Sequence, residues 1–346
     1  MAIQQYASPQ TQRIGLIKGE TLAHAIPIEA LGIAGKQFDI SRNAGDTVIY
    51  RRWLPRGATN GTAASINRIT ADPNAHLTVE GVTPTPDTLI AQDITVTLRQ
   101  YSCLYMYTDK MAEMYEDNIP DEIKTQTGER MGLVREMIRY GALKACTNKF
   151  YVGGSSRSAV NGPITLPILR KVSRSILGNR GKMVTQILAP SANFNTSAVE
   201  AAMLVFHHTD CENDVRNIEG FKEVASYGSR KPAHAMEVGS SDRYRFIGSP
   251  ELAPITDAGA TAAGTGMLTS GTKVDVYPMV VVAADAFGDV ALRGMRSFDI
   301  THLPHSKPDK SDPLGQRGYM GASFWSAMFV QNDGWMAVVE VGVTDL

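Results

Sequence analysis

Between Gly45 and Phe150 the chain reads as an extended β-type arm running straight into one long helix. Thr47-Val48-Ile49-Tyr50-Arg51-Arg52-Trp53-Leu54 predicts an outgoing strand and Asp93 to Tyr107 a returning one. Between them, Pro55 to Gln92 holds as large apolar residues only Ile66, Ile69, Leu77, Val79, Val82, Leu89 and Ile90, together with Pro55, Pro73, Pro84 and Pro86. So little apolar surface does not offset the entropy of ordering a chain. An arm of this kind cannot be a monomer's core, and is expected to gain order by lying on a neighbouring subunit.

Within the returning strand the apolar parity changes. Ile94, Val96 and Leu98 are even, whereas Tyr101, Cys103, Tyr105 and Tyr107 are odd. A flip near Arg99-Gln100 predicts a bulge, or the point where the strand leaves the arm and enters the body. The helix follows, with Asn118 as N-cap, Pro120 in its first turn, and Asp121 and Glu122 near its positive end. Ile123, Thr127, Met131, Val134, Ile138, Ala142 and Ala145 keep helical spacing, and Gly153-Gly154 is the expected stop. Gly128, Gly132 and Gly141 each cost up to ~1 kcal/mol against Ala in a helix, which close approach of another element would justify.

From Thr165 the pattern turns α/β. Leu166, Leu169, Val172 and Ile176 predict a short helix ending at Gly178, and Val184–Ala189 a strand. Thr196 or Ser197 is expected to cap a helix running through Phe206. Asp257–Thr272 reads as a mobile apical loop, and Val274–Ala284 as a buried strand. Tyr319–Val330 and Trp335–Val341 flank Asn332-Asp333-Gly334, a hairpin signal. The first 44 residues form a Gly- and Ala-bearing arm with a weakly helical middle.

A chain of 346 residues with 43% hydrophobic and 20% charged residues fits a soluble globular protein of one large or two modest domains. Net charge is −1, without the basic excess of a general nucleic-acid binder, although Arg42 and Arg51-Arg52 are local exceptions. Cys103, Cys146 and Cys211 are odd in number and widely spaced, as buried free thiols of a reducing compartment would be. The start is not a secretory signal, and charges across Ile14–Ala34 exclude a membrane span there.

Catalytic patterns fail one by one. HExxH, GxSxG, a Walker loop and a dinucleotide fingerprint are missing. Gly178-Asn179-Arg180-Gly181-Lys182 has Ile176 where a phosphate loop needs Gly, and Met183 where it needs Ser or Thr. Ser270-Gly271-Thr272-Lys273 matches SxxK by count but sits in the apical loop. His207, His208, Asp210 and Cys211 could gather a metal, yet a solvated helix end and a packed thiol explain them more simply. Glu212–Arg216 lacks the Gly and terminal Glu of a calcium loop. Tyr101, Tyr105 and Tyr107 are better read as one strand face on the long helix than as base-stacking groups. No catalytic, cofactor or metal residue is assigned, and an enzyme is not expected.

The order of parts resembles the major capsid protein of tailed bacteriophages, an α+β chain of the Hong Kong 97-type fold. It is similar in particular to the coat-protein family of N-four-type podoviruses. The strings that carry this are Arg51-Arg52-Trp53-Leu54-Pro55, Glu80-Gly81-Val82-Thr83-Pro84, Asp93-Ile94-Thr95-Val96-Thr97-Leu98-Arg99-Gln100-Tyr101 and Tyr151-Val152-Gly153-Gly154. Gly220-Phe221, Asp275-Val276-Tyr277-Pro278, Ser311-Asp312-Pro313-Leu314-Gly315-Gln316-Arg317-Gly318 and Trp335 continue the set to about residue 340.

The resemblance implies self-assembly as pentamers and hexamers into an icosahedral shell around a double-stranded DNA phage genome. Residues 1–44 would be an N-terminal arm, 45–108 the E-loop β-hairpin, and 109–165 a peripheral domain with a spine helix at about 119–150. Residues 166–295 would be the α/β axial domain and 296–346 the returning strands of the peripheral domain. Implied partners are other copies, a portal protein, a separate scaffolding protein (about 44 residues precede the arm), a possible decoration or cement protein, and packaged DNA bound without sequence specificity. No membrane is implied, and the implied location is the virion, after assembly in the host cytoplasm. Some shells of this fold weld subunits through an E-loop lysine. Here no lysine lies between Lys36 and Lys110, so this arm cannot be welded that way.

Candidate inter-subunit contacts are Arg51, Arg52, Trp53, Arg56 and Arg68 on the arm. Their expected partners are carboxylates at the start of the long helix: Asp109, Glu113, Glu116 and Asp121. The alternative readings are a minor virion or tail structural protein, or a standalone α/β ligand-binding protein built on 166–295.

Overall fold

The computed structural model describes residues 26–43, 45–78, 80–83, 86–115, 118–184, 201–227, 232–293, 298–308 and 310–346. From the N-terminal side, β1 (Lys36–Ile40) precedes the arm, which comprises β2 (Thr47–Trp53), the one-turn helix α1 (Ala63–Ile66) and β3 (Ala91–Thr97). Then come β4 (Arg99–Thr108), α2 (Asp109–Met114), the long helix α3 (Ile119–Lys144), β5 (Lys149–Tyr151) and α4 (Leu166–Gly178). Next are β6 (Met203–His207), α5 (Glu212–Arg216), β7 (Lys222–Glu223), β8 (Glu237–Ser241), β9 (Tyr244–Gly248) and β10 (Tyr277–Val282). The chain closes with β11 (Phe287–Leu292), β12 (Asp299–Leu303), β13 (Arg317–Val330) and β14 (Met336–Val341).

The parity flip in the returning strand marks a change of sheet. β3 pairs with β2 in register from Thr47↔Thr97 to Trp53↔Ala91, forming the arm's two-stranded ribbon. At Leu98 the ladder ends, and β4 pairs instead with β13 from Arg317↔Thr108 to Ser326↔Arg99. The projecting arm therefore stops near residue 98 rather than 108. Beyond that point the strand belongs to a five-stranded sheet in which β13 is central. β4 lines one of its edges, while β12 and β11 share the other and β1 extends the sheet beyond β11.

Helix α3 lies on one face of that sheet, burying Met131 against Ala322 and Phe324, with Tyr101, Cys103, Val134 and Ile138 packed around them. It spans 26 residues, about 39 Å at 1.5 Å per residue. The expected extension to about residue 150 is corrected. Ala145 caps the helix, the Thr147 N–H donates to the Asp333 carboxylate at 3.1 Å, and Lys149–Tyr151 form β5 parallel to β14. Asn118 caps through its carbonyl, which accepts the Glu122 N–H at 3.3 Å, while its side-chain amide donates to Asp121.

A second sheet runs β5-β14-β10-β6-β9-β8-β7 and is covered on both faces. Met279 and Val281 of β10 and Met203 and Val205 of β6 enter a core shared with α4 and α5. The alternate residues Val280, Val282, Leu204 and Phe206 enter a core shared with Leu143 near the end of α3. A strand buried on both sides reads as an unbroken apolar run. This corrects the helix expected through Phe206: Met203–His207 is a strand, and the Thr196/Ser197 cap lies outside the described residues. So does all of the Val184–Ala189 strand except Val184, which bridges Ala202.

The hairpin expected at Asn332-Asp333-Gly334 is also corrected. β13 and β14 do not pair; the 3₁₀ turn Asp333–Trp335 passes the chain from one sheet to the other. The closing segment 296–346 is thus divided between the two sheets. The apical loop 257–272 is tied back: the Asp257 carboxylate accepts the N–H groups of Thr272 and Lys273 at 2.9 and 2.6 Å, and Leu268 N–H donates to Val343 at 2.7 Å.

Candidate assembly surfaces

The arm is built in two parts with different supports. Its base is held by the chain's own body. Tyr50 of β2 stacks on Phe329 of β13 with centroids 5.0 Å apart and planes 4° apart, and Phe38 of β1 packs against both. Val96 and Leu98 join Ile40, Val290, Ala327 and Phe329 in a small core. Arg52 reaches from the arm to the Gln331 carbonyl at 2.9 Å and also bonds Gln92; burial holds its guanidinium below the usual arginine range.

Further out, Leu54, Ala58 and Ile66 close a one-turn core around α1. Asn67 and Asn332 exchange amide hydrogen bonds at 2.9 and 2.6 Å, and Arg180 donates to the Asn67 carbonyl at 2.8 Å. The expectation that the arm gains order by lying on a neighbouring subunit is therefore corrected for its base, which its own body holds. Beyond it, Ile69, Leu77, Val82, Leu89 and Ile90 stand in solvent, Leu89 80% exposed, as do Ile49 and Trp53 (59%) on β2. So many exposed apolar side chains on one segment make it a candidate interaction surface.

Three of the four candidate arginines find partners inside the arm. Arg51 makes a two-pronged ion pair with Asp93, directly across the ladder, at 2.8 and 2.9 Å. That guanidinium holds the Asp93 carboxyl below the usual carboxylate range. Arg56 pairs with Asp87 at 3.1 Å and contacts His76, whereas Arg68 is exposed. On the helix side, the Asp109 carboxylate accepts the Lys110 N–H, Glu113 pairs with His305 at 3.4 Å, and Asp121 takes the Asn118 amide at 2.6 Å. Glu116 lies outside the described residues. Among the described residues, Asp109, Glu113 and Asp121 do not meet Arg51, Arg52, Arg56 or Arg68. Asp93 was recoverable from the sequence once the strand register was set; Asp87 and His76 carried no such signal.

A third group ties the entering chain to the long helix. The Glu136 carboxylate, fully buried, accepts the N–H groups of both Ala30 and Leu31 at 2.7 Å. Arg139 bridges Glu136, Glu29 and Asp289, and Arg135 holds Glu29 at 2.9 Å. Glu136 lies off the apolar spacing of the helix and carries no sequence signal of this role.

The residues weighed for chemistry are engaged in packing. His207 ends β6 wholly buried, with Nδ1 on the His208 carbonyl at 2.8 Å and Nε2 without a partner, and burial lowers its pKa to about 4. The solvated helix end expected there is corrected, because the histidine belongs to a core strand. Burial pushes the Cys211 and Cys146 thiols up, away from the reactive thiolate. Ser270 donates to the Asp275 carboxylate at 2.5 Å within its loop. Among the described residues no group of His, Cys, Asp or Glu is placed to hold a metal ion, and no helix is long and apolar enough to cross a membrane.

No protein-family model matches the chain. In sequence it is similar to the major capsid protein of Pseudomonas phage KPP21, at 18% identity over 264 residues, covering 70% of this chain and 66% of that protein. In structure it resembles the capsid of Ralstonia phage GP4 with a TM-score of 0.66 at 12% identity, covering 99% of this chain and 98% of that one. The head of Helicobacter pylori bacteriophage KHP40 (TM-score 0.62, 12% identity, 98% and 97% covered) and the capsid of cyanophage Pam1 (0.61, 11%, 99% and 100%) resemble it as well. The fold is that of tailed-phage capsid proteins. It is the α+β architecture of the Hong Kong 97 type, recognised over nearly the whole chain.

Proposed function

We propose that this chain is the major capsid protein of a tailed phage, assembling into the shell around a double-stranded DNA genome as pentamers and hexamers. The observation that carries this is the arm: a ribbon fixed at its base to its own body and lined beyond with solvent-facing apolar side chains. It is joined to a long helix inside a capsid fold matched over 99% of the chain. In this reading the arm, 45–98 by strand pairing, is the E-loop and reaches over an adjacent subunit. Helix α3 is the spine of a peripheral domain with the five-stranded sheet, and the seven-stranded sheet is the axial domain at the capsomer centre.

The role is structural, not catalytic, and its place is the virion, after assembly in the host cytoplasm. A portal, a scaffolding protein and possible cement proteins complete the particle. Trp53, Arg68 and the exposed arm residues contact the neighbour. With no lysine from residue 37 to 109, the arm grips by non-covalent contacts. Strength then comes from many modest contacts repeated by symmetry.

Limited proteolysis tests this reading. The free subunit is expected to be cut within 56–92, and assembled particles to be protected there. Equal cleavage in both states contradicts the E-loop assignment.

A further inference from the structure

From residue 137 to residue 199 the chain contains no aspartate or glutamate and nine lysines and arginines, although its net charge is −1. Part of this excess is neutralised internally: Arg139 sits among three carboxylates and Arg157 clamps Glu340 at 2.7 Å. Of the seven others, five gather on α4 and the turn after it. Leu166, Leu169, Val172 and Ile176 turn one side of this helix into the core. Arg170, Lys171 and Arg174 are exposed on the other, within about 100° of arc at 100° per residue. Arg180 and Lys182, exposed in the turn that follows, extend the patch. None of the five forms an ion pair among the described residues.

We propose that this face of α4 and the turn after it form a contact site for the phosphate backbone of duplex DNA. The proposal rests on the capsid reading, which supplies the enclosed polyanion. Arg170 and Arg174 stand one turn apart, about 6 Å along the axis, and as like charges they weaken the helix unless an anion joins them. Duplex DNA presents one phosphate charge per about 1.7 Å of its axis, so neighbouring guanidiniums can each take one. Arginine forks suit phosphate oxygens, and contacts of this kind position the duplex without reading its sequence.

A docking site for protein would look different. Interface cores are depleted in charge and rich in apolar side chains. Every exposed large apolar residue of the described chain lies outside 138–299, so α4 and the turn after it supply no such core of their own.

The test uses the full-length free subunit and a 30-base-pair duplex of arbitrary sequence, titrated across salt concentrations. The wild type is expected to bind, with affinity falling linearly in log salt. The variant Arg170→Gln/Lys171→Gln/Arg174→Gln should lose about a hundredfold in affinity near 0.1 M salt, with a slope shallower by about 2.7. The control Lys222→Gln/Arg243→Gln/Lys273→Gln removes the same charge elsewhere and should keep most of the binding. Equal losses in the two variants, or no loss in the first, overturn the proposal. So does a cross-link in assembled particles joining Lys171 to a carboxylate of the adjacent subunit. If the wild type forms no shells at all, the capsid reading fails instead; shells with an inert α4 face sink only this inference.

Discussion

Tyr50 and Phe329 lie ring on ring, planes 4° apart, and join the first strand of the arm to the central strand of the body. Stacked aromatic pairs contribute about 0.5–1.5 kcal/mol beyond their buried area. A double-mutant cycle with Tyr50→Ala and Phe329→Ala, read by urea unfolding, should give a coupling of about 1 kcal/mol. Tyr50→Ala should also speed proteolytic cutting of the arm while leaving the α3 region resistant.

Glu136 satisfies two buried N–H groups and sits beside Arg139, so its removal leaves several groups without compensation. Glu136→Ala should destabilise the subunit by about 3 kcal/mol or more. Glu136→Gln, which can still accept hydrogen bonds, should cost less. The chemical-denaturation midpoint measures both.

The helix glycines should separate. A Cβ on Gly132 would lie 2.5 Å from Glu29 Oε1, an atom whose carboxylate Arg135 and Arg139 hold in place. Gly128 and Gly141 have nothing within 4 Å of that position. Gly128→Ala and Gly141→Ala should each stabilise the free subunit by up to about 1 kcal/mol, and Gly132→Ala should not. Should the first two also impair particle formation, their open faces are where another subunit packs.

His207 gives a pH dependence. Its folded pKa of about 4 lies below the ordinary 6.5, so between those values the unfolded chain binds a proton that the native chain does not. Stability is full above pH 6.5 and falls as pH drops towards 4, by about 3 kcal/mol from this residue. A pH series of unfolding free energies should lose that slope in His207→Leu.

The arm, the sheet change beside Arg99 and the α4 helix were legible because each rests on local pattern: strand parity, or a one-sided apolar stripe. What was missed rests on the rest of the molecule. Met203–His207 is buried at every position, and apolar through Phe206, because both faces of its sheet are covered, and no periodicity separates such a run from a helix. Asn332-Asp333-Gly334 has hairpin chemistry, but the sheet that β14 joins is chosen by β10 and β5, far away in sequence. The long helix keeps its period through Ala145, and Asp333 stops the chain from continuing it by taking the Thr147 N–H. Within the chain Arg51 takes Asp93, its cross-strand neighbour, a pairing that strand register alone supplies.

Electron microscopy of the purified protein, produced with and without a scaffolding partner, tests the central claim most directly. The account predicts closed icosahedral shells, or pentameric and hexameric capsomers, with residues 56–92 lying on the adjacent subunit. A uniform 37.5 kDa monomer under both conditions would contradict it.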